Sequence, residues 1–249
     1  MTDVNTEIRD FWDADAATYD HSVGHAAHTR AERAAWIGEL RRLLPAPPAR
    51  VLDLGAGTGF LSLPLAALGY DVTALDVAPA MLQRLQAKAE RQDLSITAVL
   101  GDAAQPPDGP FDVIIERHVV WTLTDPAAAL RAWRRAAPHG RLVLLESLWG
   151  GAADPTEAVR ARARKGVRAL RRTPPDHHGE YSEQMRQALP LAGGTTPERL
   201  LELVDASGWE PAALHRLRDV EWALELAAPL PERLLGVTPR FAVLAGAWV

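Results

Sequence analysis

The sequence predicts an α/β fold, a doubly wound and mostly parallel sheet with helices on both faces, and three observations lead to it. From Arg50 to about Trp149, short apolar runs alternate with helical segments. Those runs are continuously apolar rather than alternating, the pattern of strands covered on both faces. The first of them, Val51-Leu52-Asp53-Leu54, passes directly into Gly55-Ala56-Gly57-Thr58-Gly59, three glycines spaced one residue apart. Glycine at such a strand end lets backbone approach a ligand closely or adopt positive φ, and a helix opening after it aims N–H groups at that ligand. The loop therefore reads as a nucleotide-type cradle.

In chain order, the first forty-five residues read as a helical cap and linker that stops at Leu44-Pro45-Ala46-Pro47-Pro48, where proline cannot continue a helix. Strand 51–54 leads to a helix from about 59, strand 71–75 to a helix from Pro79, and a third strand occupies 95–99. Phe111-Asp112-Val113-Ile114-Ile115 is the fourth strand and runs into Glu116-Arg117-His118. Pro126 to Ala137 is the next helix, with Asp125 as its cap and Pro126 at its first position. Leu142 to Leu145 is a fifth strand. The rhythm then breaks over 150–196, rich in Gly, Pro, Arg and His, a segment placed where substrate lids occur in open α/β sheets. Thr196-Pro197-Glu198 opens a helix that Gly208 ends, and Leu214–Leu217 and Arg240–Ala245 supply two final strands.

The glycine spacing is G-x-G-x-G, and Phe60 stands where a dinucleotide fingerprint wants its last glycine. That departure favours a different adenosine ligand. Asp76 ends the second strand about twenty residues beyond the loop, where a carboxylate can accept hydrogen bonds from a ribose. Gly101-Asp102-Ala103 follows the strand-like Ile96–Leu100. In this order and at these spacings the segments resemble the S-adenosylmethionine-binding core of class I methyltransferases. The resemblance covers about the first 150 residues. Phe11-Trp12 through Ala16, Tyr19 and Asp20 looks like the "FW…A…YD" opening helix of small-molecule members, including quinone-biosynthesis-like ones. Asp76-Val77-Ala78-Pro79-Ala80-Met81-Leu82 looks like "D-x-S-x-x-M-L", with Ala78 in the serine position. Arg117–Leu123, Asp125-Pro126 and Leu142–Glu146 are similar to a bacterial subgroup carrying "RHV-x-W…DP-x-x-A-L". Pro138-His139-Gly140 departs from the usual Pro-Gly-Gly.

This resemblance implies a Rossmann-like doubly wound seven-stranded sheet, mostly parallel with an antiparallel C-terminal strand, plus a helical N-terminal cap and a lid insertion. It makes 1–249 one methyltransferase domain: cap 1–45, cofactor core 50–149, lid 150–196, and C-terminal helix and strands 197–249. The implied cofactor is S-adenosyl-L-methionine. Asp53 would orient the loop or meet the methionine ammonium, Gly55, Ala56 and Gly57 would carry the backbone beneath the cofactor, and Asp76 would take the ribose hydroxyls. Met81 would pack on the adenine, Asp102 with Ala103 would read its edge, and Tyr19 would close on the amino-acid end. Arg117 stands where the family usually offers a backbone carbonyl, leaving its side chain for a substrate carboxylate or for a salt bridge in the core.

Methyl transfer from a sulfonium needs alignment and exclusion of water rather than a covalent nucleophile. A hydroxyl or protonated amine acceptor must lose a proton, so His118 and Glu146 are competing general-base candidates. Trp12, His25, Trp121, Trp149 and Tyr181 are the candidates for the substrate wall. His21, His25 and His28 sit at helical spacings, but Val23-Gly24 interrupts any helix and no cysteine or carboxylate pattern completes a metal site. The Arg-rich run 160–172 reads as a solvated helix face or, if functional, a site for an anion.

Composition bounds the alternatives. The 249 residues, 47% hydrophobic, suffice for one substantial domain. No cysteine is present, which excludes disulfides and thiolate chemistry. A net charge of −5 argues against general nucleic-acid affinity. The N-terminus lacks a signal-peptide pattern and no apolar run reaches membrane-spanning length, so a cytoplasmic location without membrane association is expected. The partner is then a small molecule, with a homodimer left open. An NAD(P)-dependent oxidoreductase and a non-catalytic S-adenosylmethionine-binding module are the rival functions.

Overall fold

The computed structural model describes residues 3–22, 24–148, 155–170, 177 and 179–246. Its helices are α1 (Val4–Asp15), α2 (Arg30–Leu43), α3 (Ser62–Ala67), α4 (Pro79–Arg91), α5 (Pro126–Ala136), α6 (Pro155–Leu170), α7 (Glu183–Ala188), α8 (Pro197–Asp205), α9 (Arg218–Ala227) and α10 (Leu230–Leu234). The strands are β1 (Arg50–Leu54), β2 (Asp71–Asp76), β3 (Thr97–Leu100), β4 (Val113–Arg117), β5 (Arg141–Ser147), β6 (Ala212–Arg216) and β7 (Arg240–Gly246). They form one seven-stranded sheet in the order β3-β2-β1-β4-β5-β7-β6. Only β7 runs antiparallel, against β5 on one side and β6 on the other. The strand order reverses between β1 and β4, and the crevice beyond their carboxyl ends is where such sheets bind ligands.

Continuous apolarity has its explanation in two cores. Leu52, Leu54, Ile114, Leu142 and Leu144 face Leu130, Trp133 and Trp209 on one side of the sheet. The alternate residues Val51, Val113, Ile115 and Val143 face Trp36, Leu40 and Leu65 on the other. Because both faces are covered, the inner positions of β1, β4 and β5 are apolar, apart from Asp53, Glu116 and Glu146 toward the carboxyl ends, while Arg50 and Arg141 stand at the strand starts.

Local chemistry fixes the element ends. Asp125 caps α5 by accepting from Ala128 N–H at 2.9 Å, with Pro126 at the first helical position. Thr196 caps α8 through Arg199 N–H at 3.2 Å. The cap is not one continuous helical run. A 3-10 turn at Tyr19–His21 and Gly24, at φ +91°, separate α1 from α2. The helix expected from about 59 begins at Ser62, because Gly59 sits at φ +93° and donates back to Ala56 O, closing a turn first. The fourth strand starts at Val113 rather than Phe111, whose N–H is taken by Ala136 O at 2.9 Å. Within 150–196 the described residues include α6 and α7 rather than loop alone, since the Ala, Arg and Leu of the basic run are strong helix formers. Most of that run is solvated, but Arg164 is buried and paired with Glu157. The last two strands pair as expected, Leu214 against Val243, with α9 and α10 between them. At Pro138-His139-Gly140 the turn still closes, and a Cβ on Gly140 would stand 2.7 Å from Phe111 O.

Trp133 ties this core to the site: it is fully buried and its Nε1–H donates to Ala103 O at 2.7 Å. Trp133→Ala is therefore expected to lower unfolding free energy by about 3–5 kcal/mol. Urea denaturation measures it, and a loss under about 1 kcal/mol would show that the site loop does not lean on this side chain.

Candidate active site

At the carboxyl ends of β1, β2 and β4, beneath α1, lies a cavity of about 700 Å³. The glycine loop forms its floor. Gly55, Gly57 and Gly59 all have positive φ, and a Cβ on Gly55 would collide with Val119 Cγ2. Gly57 N–H donates to Asp76 Oδ2 at 2.7 Å and Ala78 N–H to Oδ1 at 2.8 Å, so one carboxylate ties the loop to the start of α4. Burial pushes Asp76 up to about 6, against the pull of those backbone donors.

Of the residues singled out from sequence, Trp12, Tyr19, His25, Gly55, Gly57, Asp76, Met81, Asp102, Ala103, Arg117, His118 and Trp121 line this cavity together. Four stand behind its walls. Asp53 is buried and accepts from Ser62 Oγ–H at 2.5 Å, pinning β1 to α3. Ala56 is buried, with its N–H donated to Leu75 O at 3.0 Å. Tyr181 stacks edge-on against Phe11, ring centroids 4.7 Å apart, and 5.3 Å from Trp121. Glu146 sits behind His118. Trp149 lies outside the described residues.

His118 and Glu146 are partners rather than alternatives, with Nδ1 2.8 Å from Oε2. The parallel register that sets Arg117 opposite Leu145 brings the two strand ends together, and His118 N–H donates to Leu145 O. His118 adopts φ +63°, which turns its ring out of the strand line at the cavity edge. With Nδ1 engaged, Nε2 is the nitrogen available to a ligand. Burial pushes Glu146 up to about 8, while burial and then the charge of Arg117 press His118 well below its usual value. Glu116, buried beside them, is held well above the ordinary carboxylate range by burial first and Glu146 second, and its Oε2 accepts from Val119 N–H at 2.6 Å.

Arg117 lines the cavity and makes no salt bridge among the described residues. Its guanidinium lies 3.8 Å over the Phe60 ring and donates to Gly24 O at 2.9 Å. His25 stacks on Tyr19 at 4.1 Å, and burial, then Arg117, lowers it to about 3. It is a neutral ring.

Sequence reasoning missed two groupings. His177 lines the cavity, and its Nδ1 lies 2.5 Å from the Oδ2 of fully buried Asp15. Nothing in the spacing of either residue announces that pair. Asp20 joins the cap to the loop by accepting from Thr58 Oγ–H at 2.5 Å and pairing with Lys88 Nζ at 2.6 Å. Asp20 was visible in the opening-helix pattern, but Lys88, on α4, carried no signal. Among the described residues no group of three or more His, Cys, Asp and Glu is arranged to hold a metal.

The methyltransferase domain family matches residues 52–144. A ubiquinone biosynthesis O-methyltransferase from Xanthomonas campestris is 33% identical over 172 residues, 66% of this chain and 68% of that one. An uncharacterized methyltransferase from Mycobacterium bovis is 42% identical over 106 residues, 41% and 42% of the two chains. The magnesium protoporphyrin IX methyltransferase of Synechocystis, solved with bound S-adenosylmethionine, superposes with a TM-score of 0.60 at 17% identity over 99% of both chains. The [4+2]-cyclase SpnF gives 0.64 at 16% identity over 98% and 97%. Likeness at that level shows the fold alone.

Asp53 gives a test of the geometry. Burial raises it to about 7, so between the unfolded value near 4 and 7 the native state holds the extra proton and stability falls as pH rises. Asp53→Asn removes that term while keeping an acceptor for Ser62. Its stability relative to the parent protein is expected to improve from pH 4 to pH 7 in urea melts, with S-adenosylhomocysteine affinity within about threefold. A tenfold loss of affinity would put Asp53 in direct contact with ligand.

Proposed function

The chain belongs to the class I S-adenosylmethionine-dependent methyltransferases, and we propose that it methylates a hydroxyl oxygen of a small aromatic acceptor, with His118 as general base and Glu146 holding it. The observation that carries this reading is the 2.8 Å contact between His118 Nδ1 and Glu146 Oε2 at the edge of the aromatic-walled cavity. The relative named for ubiquinone biosynthesis O-methylation supports oxygen as nucleophile and a quinol-like ring as acceptor.

The residues present fit the methyl donor. Gly57 and Tyr19 face one another across a gap in which a Cβ on Gly57 would stand 3.9 Å from Tyr19 Cε1. Asp76 offers a carboxylate for vicinal hydroxyls, Met81 and Leu75 an apolar wall, and Asp102 with Ala103 a polar edge for adenine. The oxidoreductase alternative finds no support, since Phe60 holds the third-glycine position with Arg117 over its ring. When bound, S-adenosylmethionine supplies an electrophilic methyl on a positive sulfur that departs as a neutral thioether.

The chain's own task is to hold the acceptor and take its proton. Trp12, Trp121 and the Tyr19–His25 stack form flat faces for an aromatic ring. Deprotonated Glu146 accepts Nδ1–H, so the lone pair on Nε2 takes the acceptor's hydroxyl proton as the oxygen–methyl bond forms. Arg117 sits in the same cavity and offsets the buried carboxylate's charge. We further take 1–249 as one catalytic domain acting in the cytoplasm, with 1–45 as cap and 150–196 as substrate lid. His177 on Asp15 supports the lid role, and among the described residues no helix is long and apolar enough to cross a membrane.

Incubation with labelled S-adenosylmethionine and a catechol is expected to yield the O-methyl ether. Label appearing only on amine or thiol acceptors would overturn the assignment. His118→Asn and Glu146→Gln should each lower kcat by roughly 10²-fold while leaving S-adenosylhomocysteine affinity nearly intact. Because Glu146 holds an extra proton up to about pH 8, parent turnover should rise with pH through that range. A flat profile would contradict the paired base. Asp76→Ala should weaken S-adenosylhomocysteine binding by about 1.5–3 kcal/mol by calorimetry, the loss of charged hydrogen bonds. An unchanged dissociation constant would place Asp76 outside the site.

A further inference from the structure

A second cavity, of about 480 Å³, lies next to the first and shares none of its lining residues. The chain at Gly24 separates them. Arg117, which lines the first, donates to Gly24 O at 2.9 Å, while a Cβ on Gly24 would stand 3.0 Å from the Arg240 guanidinium, which lines the second. At φ +91° and with that clearance, only glycine fits comfortably between the two cations.

Most of the polar groups in this second cavity have partners. Arg164 is committed to Glu157, to the carbonyls of Leu235 and Gly236, and to Thr238 Oγ1. Arg168 pairs with Glu232 at 3.4 Å, and Glu32 accepts the backbone N–H of His28 at 2.7 Å. Arg240 differs. Its backbone N–H reaches Glu221 and the charges of Glu221, Glu32 and Glu146 act on its guanidinium, but among the described residues its Nε is buried with no hydrogen-bond partner. Burial lowers its guanidinium only to about 10, so it stays charged at neutral pH. A buried donor of that kind left unpaired costs about 1–3 kcal/mol or more. A carboxylate or phosphate oxygen would satisfy it in the geometry a guanidinium prefers.

We propose that this cavity is a binding site for a small phosphate- or carboxylate-bearing ligand, separate from methyl donor and acceptor, with Arg240 as its principal cation. Its volume falls within the range of small-molecule pockets and is too small for a macromolecular segment of any length. The basic helix α6 thereby finds a role: Arg164 and Arg168 project from it into the lining while the rest of its arginines stay in solvent. Arg240 also opposes the negative charge of Glu146, so an occupant here would be felt by the His118–Glu146 pair without touching it.

The test is calorimetric titration of the full chain, saturated with S-adenosylhomocysteine, with inorganic phosphate at low ionic strength. Saturable binding at one site per chain is expected, with malonate competing. Arg240→Gln should weaken it at least tenfold, and so should Thr238→Asp, which brings a built-in carboxylate into the lining and does not depend on removing a buried side chain. Absence of binding, parent-like affinity in both variants, or phosphate binding that appears only in chain free of S-adenosylhomocysteine would overturn the proposal, the last because it would place the anion in the cofactor cavity at Arg117. None of these readouts uses methyl transfer, so the proposal stands or fails apart from the acceptor assignment.

Discussion

The arrangement of the whole site hangs on a buried carboxyl group, Glu146, held against an imidazole at the end of the neighbouring strand. Parallel pairing of β4 with β5 sets the two strand ends level, and His118 leaves its strand at φ +63° to present its ring. A non-glycine residue in the left-handed region costs about 1 kcal/mol or more, and histidine is among the residues that tolerate it best. The return on that strain is orientation: with Nδ1 fixed by Glu146, one ring nitrogen is left for the cavity. Two buried acids, Glu116 and Glu146, then compete for protons, and two arginines, Arg117 and Arg240, draw them off. The outcome is a neutral imidazole beside a carboxyl group raised to about 8.

Around that pair the structure closes the cavity with the cap rather than with the sheet. Lys88 and Thr58 grip Asp20, so the 3-10 turn carrying Tyr19 sits directly over the glycine loop. Asp15, the last residue of α1, grips His177. Aromatic rings of Phe11, Trp12, Tyr19, His25 and His177 pack edge-on or stacked between these two anchors. Rings held by these polar contacts wall the cavity, and exclusion of water is the condition that methyl transfer to a weak nucleophile requires.

The sheet was legible because its cause is local and repeated: strands covered on both faces must be apolar throughout, and Gly55, Gly57 and Gly59 occupy φ values that other residues resist. The place of Asp76 at the strand tip beside the glycine loop was legible too, but not that its two oxygens tie Gly57 to Ala78. Asp53 could be read only halfway. Spacing placed it at the loop, but whether it turned to Ser62 or to ligand depended on the start of α3, which came three residues later than expected. The His118–Glu146 pair was hidden as a pair, because 28 residues separate its members and only strand order makes them neighbours. His177 and Asp15, 162 residues apart, gave no pattern at all.

The central claim is that His118 takes a proton from the acceptor, and a series of ring-substituted catechols of graded acidity tests it most directly. Turnover of the parent protein and of His118→Asn would be compared across the series at one pH. An acceptor already ionised needs no base, so the account predicts that the parent-to-variant ratio is near one for the most acidic catechol and grows to about 10² or more for the least acidic. A ratio that stays constant across the series would contradict it, and positioning alone would then describe what His118 does.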